Sequence, residues 1–139
     1  MPDFCWDIRV YYEDTDAGGI VFYANYLKFF ERARTEWLRA AGISQEQLMR
    51  EESRMFVVRS TAVDYRQPAR LDDLLQISVV VEKMGRASVG FYQEARRQGQ
   101  ADVLCSGRIR VACVELDTLR PAAIPEGVLQ KIAAAPLAA

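Results

Sequence analysis

Histidine is absent from this chain of 139 residues. Nucleophilic catalysis of the Ser-His-Asp or Cys-His kind is therefore excluded within one type of chain, because histidine accepts the proton in both. Zinc sites built on histidine are excluded as well. Acid–base chemistry near neutral pH must then rest on a carboxylate, a tyrosine, a lysine or a cysteine, and a carboxylate is the simplest choice.

Cysteine is also scarce. The chain has Cys5, Cys105 and Cys113, an odd number without the spacing of metal ligands. Each cysteine lies in an apolar, strand-like run of residues. This pattern predicts reduced thiols in the core, with neither a disulfide nor a metal site.

Other absences bear on location and partners. No apolar stretch is long enough to cross a bilayer, and the first residues, MPDFCWDIRV, lack the basic start and apolar run of a signal peptide. The net charge is only −1. We therefore expect a cytoplasmic protein that inserts into no membrane and binds no nucleic acid.

The composition fits a single domain over residues 1–139. Half of the residues are hydrophobic and 27% are charged, as in ordinary globular proteins. This is enough apolar material for one core, and oligomerisation would bury more. The Ala-rich end KIAAAPLAA, with a tail from about residue 133, is interpreted as a frayed terminus.

Two periodicities organise the first half of the chain. At the start, every second residue is apolar or aromatic, which predicts a half-buried strand: Phe4, Trp6, Ile8, Val10 and Tyr12. From about Tyr23 to Ala41, apolar residues recur at steps of three and four, which predicts an amphipathic helix of about five turns. Gly42 suits a left-handed C-terminal cap. Ser44 and Gln47 predict a capping box that opens a short helix to about Arg50.

The second half is rich in Val, Ile, Thr, Tyr and Phe, which favours strands. Four strands are predicted, at Met55–Arg66, Leu74–Met84, Ala87–Arg97 and Val103–Val114. The connections at 85–86 and 98–100 are short enough for antiparallel hairpins. A single sheet can bury a helix that carries Phe29, Phe30 and Trp37 only if the sheet curves around the helix. We therefore predict an α+β fold, an antiparallel five-stranded curved sheet around one long central helix.

Acidic, small and aromatic residues converge between the first strand and the long helix. Asp14 and Asp16 lie in a loop whose glycines, Gly19 among them, let the backbone approach a ligand. Residues 22–24 would lie at the helix N-terminus, where unpaired N–H groups and the helix dipole stabilise a developing oxyanion. A nearby carboxylate then favours acyl transfer. The alternative is that Asp14, Thr15 and Asp16 only cap turns.

The string DTDAGGIVFYANYLKFFERARTEWL resembles the thioesterase signature of the hotdog-fold family that includes 4-hydroxybenzoyl-CoA thioesterase and the Tol–Pal-associated acyl-CoA thioesterases. The segment EESRMFVVRSTAVDYRQPARLDDLLQISVVVEKMGRASVGF resembles later strands of the Tol–Pal-associated branch. The resemblance covers nearly all residues from Arg9 to Pro125. It implies a hotdog fold that hydrolyses acyl-CoA thioesters without a metal or other cofactor.

The resemblance also implies roles for single residues. Asp16 matches the family's catalytic carboxylate, as general base or as nucleophile. Tyr23 matches the residue whose backbone N–H polarises the thioester carbonyl. Many Tol–Pal-associated members carry histidine there, whereas tyrosine agrees with 4-hydroxybenzoyl-CoA thioesterase, so the acyl preference stays open. Phe22 and Tyr26 are candidates for lining the acyl pocket.

For coenzyme A, the resemblance points to the hairpin 85–88, with Arg86 and Ser88, and to Arg120. Arginine forks suit nucleotide phosphates, although an exposed hairpin tip and a surface turn explain these arginines equally well. The charged residues of the helix are expected to form solvated or interface ion pairs: Glu31, Arg32, Arg34 and Glu36. The stripe of Phe29, Phe30 and Trp37 is expected to be core.

The family pairs protomers edge to edge and often packs two dimers together. The resemblance therefore implies a homotetramer whose sites join the Asp16 loop of one chain to the coenzyme-binding residues of its neighbour. Two other functions stay open. A hydratase or dehydratase is disfavoured by the absence of histidine. An acyl-CoA, acyl-carrier or protein-binding module without turnover is disfavoured by an intact Asp16 and glycine loop.

Overall fold

The computed structural model describes residues 4–134. Its elements, in chain order, are β1 (Phe4–Arg9), a 3₁₀ turn (Tyr12–Asp14), α1 (Asn25–Ala40), α2 (Gln45–Glu52), β2 (Arg54–Tyr65), β3 (Leu74–Met84), β4 (Ser88–Arg97), β5 (Val103–Glu115) and α3 (Glu126–Ala133). The strands form one antiparallel sheet in the order β1-β3-β4-β5-β2. The predicted α+β architecture is confirmed.

Helix α1 packs its apolar stripe against the sheet. Phe29 and Phe30 are fully buried, and the Trp37 ring meets the Phe91 ring of β4 edge-on at 5.5 Å between centroids. Gly107 of β5 lets the helix approach, since a Cβ there would lie 2.9 Å from the Phe30 ring. The prediction that this aromatic stripe is core is confirmed.

The first strand is shorter than its alternation predicts. It ends at Arg9, and Tyr12 belongs to the 3₁₀ turn with 84% of its surface exposed. Trp6 is also exposed, so fewer residues of the alternating set are buried than the pattern predicts. The prediction of a core thiol is wrong for Cys5, which is exposed on this edge strand.

The other two thiols are core residues, as predicted. Cys105 and Cys113 are buried and reduced. Burial raises the pKa of the Cys105 thiol to about 12, so this sulfur is protonated at neutral pH.

The short helices hold one confirmation and one correction. Gly42 has a φ of +84°, as predicted. Ser44 Oγ accepts the Gln47 N–H at 3.1 Å, which is one half of the predicted capping box, whereas the Gln47 side-chain amide donates to Glu51. The interpretation of the C-terminal end as a frayed terminus is wrong up to Ala133, because helix α3 runs there and buries Ile132. Pro125 stands at its N-cap, a position compatible with its missing N–H. Residues 135–139 lie outside the described part.

Strand β2 is a long, open edge of the sheet. Its middle, Val58–Ala62, is exposed. Val58 pairs with Val111 and Ser60 with Arg110, so Arg59 is an extra residue that forms a bulge. Within residues 4–134, no helix is both long and apolar enough to cross a membrane.

Candidate active site

Asp16 opens a tight turn between the 3₁₀ turn and α1. Its N–H donates to the Ile20 carbonyl at 2.9 Å, and its carbonyl accepts the Gly19 N–H at 3.1 Å. Thr15 and Val21 bridge on either side. Gly19 has a φ of +78°, which glycine adopts without strain. The turn therefore depends on one of the glycines that the sequence singled out.

The Asp16 carboxylate is held by one oxygen only. Oδ1 accepts the Gly18 N–H at 2.8 Å. Oδ2 has no hydrogen-bond partner among residues 4–134, and the side chain is exposed in the single chain. One oxygen therefore fixes the carboxylate while the other can meet water or a ligand.

Asp14, the other carboxylate of the pair, serves the loop itself. It is buried, and its Oδ2 accepts the Tyr11 N–H at 2.8 Å. Its backbone carbonyl accepts the Phe22 N–H at 3.0 Å and the Asn25 side-chain amide at 2.8 Å. Turn capping therefore accounts for the Asp14 side chain, and Asp16 also caps its turn through Oδ1 but keeps Oδ2 open.

The start of α1 offers unpaired backbone donors. The N–H groups of Tyr23 and Ala24 have no acceptor within the described part of the chain. They precede Asn25, the first residue of α1, at the positive end of the helix dipole. Such groups stabilise an oxyanion that forms beside them.

An aromatic cluster of Phe22, Tyr23, Tyr26 and Tyr65 surrounds this helix start. The Tyr23 ring lies 4.8 Å from the Phe22 ring and 6.0 Å from the Tyr65 ring. Phe22 and Tyr23 are exposed, but Tyr26 is buried and its hydroxyl accepts the Ala69 N–H at 3.1 Å. Burial raises the pKa values of Tyr26 and Tyr65. Tyr26 therefore supports the cluster from beneath.

Sequence reasoning did not assign Tyr65 to the site. It ends β2, and its ring contacts Tyr23 and Tyr26, about forty positions earlier in the chain. Asn25 was missed too, although amide side chains are common at helix starts.

The residues expected to bind coenzyme A lie at the other end of the sheet. The Asp16 turn is held against residues 69–71, which Arg97 at the end of β4 anchors through the Pro68 carbonyl. Ser88 begins β4, and ten residues of strand separate these ends by roughly 30 Å. One chain therefore does not bring Ser88 or the adjacent Arg86 to Asp16.

Arg86 and Arg120 share that far end. The Arg86 carbonyl accepts the Ile124 N–H at 2.9 Å, and the Arg120 carbonyl accepts the Glu115 N–H at 2.9 Å. Both arginine side chains are exposed. The segment after β5 therefore carries Arg120 back along the hairpin that holds Arg86.

Arg34 corrects the expectation that the charged residues of α1 form solvated or interface ion pairs. It is 8% exposed and donates from Nη1 to Oε1 of the buried Gln93 at 3.0 Å. Burial lowers the pKa of its guanidinium to about 10. By contrast, Glu36 pairs with Arg39 on the exposed face at 2.7 Å.

Comparison with known proteins places the chain in a family. The model of the thioesterase-like superfamily matches residues 10–132. The chain is 45% identical over 125 residues to the acyl-CoA thioesterase YbgC of Haemophilus influenzae, covering 90% of each protein. It is 44% identical over 126 residues to the acyl-CoA thioester hydrolase YbgC of Escherichia coli, covering 91% of this chain and 92% of that protein.

Solved structures share the fold. A probable thioesterase from Bartonella henselae superposes with a TM-score of 0.81 at 31% identity, covering 87% of this chain and 98% of that one. A 1,4-dihydroxy-2-naphthoyl-CoA thioesterase from Synechocystis superposes with a TM-score of 0.86 at 20% identity, covering 94% and 95%.

The chain belongs to the thioesterase-like superfamily. Its membership confirms the resemblance inferred from the Asp16 loop and α1, and with it the hotdog fold and the expectation of a thioester hydrolase.

Proposed function

We propose that this protein hydrolyses acyl-CoA thioesters, using the Asp16 carboxylate and the Tyr23 backbone N–H. The observation that carries the proposal is the pairing of an open carboxylate oxygen with an unpaired backbone donor at a helix start. These are the two groups that acyl transfer needs. The names of the YbgC relatives support acyl-CoA as the substrate.

In this mechanism the thioester carbonyl oxygen accepts a hydrogen bond from the Tyr23 N–H. If Asp16 acts as base, it removes a proton from water, and the hydroxide adds to the carbonyl carbon. The tetrahedral oxyanion collapses, the C–S bond breaks, and the proton passes to the coenzyme A thiolate. If Asp16 acts as nucleophile, its oxygen bonds to the carbonyl carbon, the C–S bond breaks, and coenzyme A leaves as the thiolate and takes up a proton from solvent. Water then hydrolyses the resulting anhydride to the free acid and regenerates the Asp16 carboxylate.

The proposal requires a second protomer. Because Arg86, Ser88 and Arg120 lie at the far end of the sheet, they reach coenzyme A at Asp16 only from a neighbouring chain. The long, exposed edge β2 supports pairing of two protomers into a continuous sheet. We include in the proposal a dimer of such dimers, a cytoplasmic location and the use of no metal or other cofactor.

Release of free thiol from acyl-CoA tests the proposal. The wild type should release coenzyme A, whereas Asp16→Asn should release little while still binding substrate. Binding without release by the wild type would favour the alternative of an acyl-CoA binding module.

A further inference from the structure

A cavity of about 320 Å³ lies between α1 and the sheet, away from Asp16. Its walls are mainly apolar, with Phe56 and Val58 of β2 and Phe91 of β4 among them. Two charged residues of α1, Glu31 and Arg34, also line it. This volume is at the lower end of the range of small-molecule pockets.

Arg34 is the unusual feature of this wall. It is over nine-tenths buried, yet no salt bridge joins it to a carboxylate within residues 4–134. Nη1 donates to Gln93, whose amide donates in turn to the Phe30 carbonyl at 3.0 Å. Nε and Nη2 have no acceptor among those residues. Both of these nitrogens keep some accessible surface, so they can donate to water or to a ligand in the cavity.

Glu31 supplies the opposite chemistry on the same wall. It stands three residues before Arg34 on α1, so the two side chains are neighbours on the helix. Glu31 Oε2 already accepts the Thr35 hydroxyl at 2.6 Å, which fixes the carboxylate. Donor and acceptor side by side suit a hydroxyl group, which can accept from Arg34 and donate to Glu31.

The cavity cannot be reached from the same chain's Tyr23 amide. Tyr26, Phe29 and Phe30 fill the helix face between them and are buried. Arg34 also lies about 16 Å further along the helix than Tyr23.

The bulge at Arg59 determines which residues of two paired β2 strands can face each other. Before the bulge, even-numbered residues face α1, and after it odd-numbered residues do, as their partners on β5 indicate. The α1-facing residues are Phe56, Val58, Thr61, Val63 and Tyr65. In an antiparallel pair around a twofold axis, residues opposite each other share a face.

Two registers centred on the exposed part of β2 meet this condition. Val58 lies opposite either Val63 or Thr61 of the other protomer. The first register sets Phe56 opposite Tyr65, and the second sets it two residues away. In both, the cavity wall of one protomer lies beside the other protomer's Tyr65, which contacts Tyr23.

We infer that this cavity receives the far end of the acyl chain hydrolysed at the partner's Asp16, and that Arg34 and Glu31 select a chain ending in a hydroxyl group. The inference rests on the proposed function and on the β2 dimer. It adds a specificity site in trans, at a distance from the reacting carbonyl.

Matched acyl-CoA pairs test it, each a straight-chain acyl group with and without a terminal hydroxyl, from four to twelve carbons. In the wild type, kcat/KM should favour the hydroxylated member by about tenfold or more once the chain reaches the cavity. Arg34→Met should bring that ratio close to one. Arg39→Met, on the exposed face of the same helix, should keep it.

A ratio near one at every length in the wild type would overturn the inference, as would an undiminished ratio in Arg34→Met. If acetyl-CoA is still hydrolysed when one of these results is found, the inference about the cavity fails but the proposed function is retained. If no acyl-CoA is hydrolysed, both fail. If Arg34→Met does not fold, Val58→Trp at the half-exposed mouth of the cavity provides the test. It should lower kcat/KM for long acyl chains relative to that for acetyl-CoA. An unchanged dependence of kcat/KM on chain length would contradict the cavity's role.

Mixed dimers test the cross-subunit geometry. Arg34→Met protomers are mixed with an excess of Asp16→Asn protomers. In the resulting hybrid dimers, the active Asp16 of the Arg34→Met protomer faces the intact Arg34 of its partner. Hydroxyl selectivity should return in these hybrids. Its continued loss would mean that the cavity serves its own chain and would overturn the assignment in trans.

Discussion

The side-chain amide of Asn25 donates to the Asp14 carbonyl at 2.8 Å, tying the first residue of α1 to the loop that carries Asp16. The Phe22 N–H donates to the same carbonyl at 3.0 Å. Together these bonds set the unpaired Tyr23 N–H relative to Asp16. Asn25 is therefore a positioning residue in the proposed mechanism.

Asn25→Asp should lower kcat roughly fivefold, the equivalent of one hydrogen bond of about 1 kcal/mol. A carboxylate has the same shape but cannot donate, and it suits the first turn of a helix, so thermal stability should change little. KM should hold, because coenzyme A contacts lie elsewhere. A rise in KM with kcat unchanged would refute the positioning role. So would a fall in melting temperature large enough to explain the lower activity by unfolding.

Asp16→Asn should lower kcat by about 100-fold or more with little change in KM, since the carboxylate acts mainly in the transition state. Asp14→Ala should instead lower stability by about 1–3 kcal/mol, because it strands the Tyr11 N–H. Steady-state kinetics and thermal unfolding of both variants separate the roles. Similar kinetic losses without any stability difference would show that the two carboxylates are not distinct.

Arg86→Ala and Arg120→Ala should each raise KM for acyl-CoA and leave kcat nearly unchanged, because phosphate contacts bind ground state and transition state alike. With a truncated thioester that lacks the nucleotide, the effect should shrink. An equal effect on both substrates would place these arginines outside the coenzyme site.

Mixing Asp16→Asn protomers with Arg86→Ala protomers should restore activity, because one class of hybrid site is intact. Sedimentation should show the dimer or a larger assembly. An active monomer would contradict the shared site, and so would a lack of complementation after demonstrated subunit exchange.

The Cys105 thiol should resist alkylation in the folded protein between pH 8 and pH 10, since burial raises its pKa to about 12 and hides the sulfur. In denaturant its pKa returns to about 8.5, so reaction should accelerate as the pH rises. Peptide mapping after timed iodoacetamide treatment measures both rates. Rapid labelling of folded Cys105 at pH 8 would contradict the buried, protonated thiol.

Local patterns in the sequence were sufficient to predict most of the fold. The richness in Val, Ile, Thr, Tyr and Phe and the short hairpin links placed β3 at its observed bounds, and the 3.6-residue period placed α1 to within two residues at its start. Helix α3 was missed because its segment is only eight residues long and runs into the Ala-rich end, and the cue of Pro125 at its start was overlooked.

The candidate site was predictable only in part. Asp16 and Tyr23 lie within one continuous motif, and their assigned roles remain predictions. Tyr65 and Gln93 come from strands far along the chain, so only tertiary structure brings them to α1. Arg34 had a readable signal, since it lies four residues after Phe30 and four before Leu38 on the buried stripe. Its charge led to the wrong interpretation.

The bulge at Arg59 also limits how this strand can change in length during evolution. Deleting Arg59 would remove the bulge and place Ser60 directly after Val58, so residues 60–65 would keep their partners on β5 and Tyr65 would stay beside Tyr23. An inserted residue would need a second bulge, or it would turn one half of β2 over and point its α1-facing side chains to the outer face of the sheet. Loss of the bulge residue should therefore be tolerated during evolution, whereas single-residue insertions in β2 should be purged.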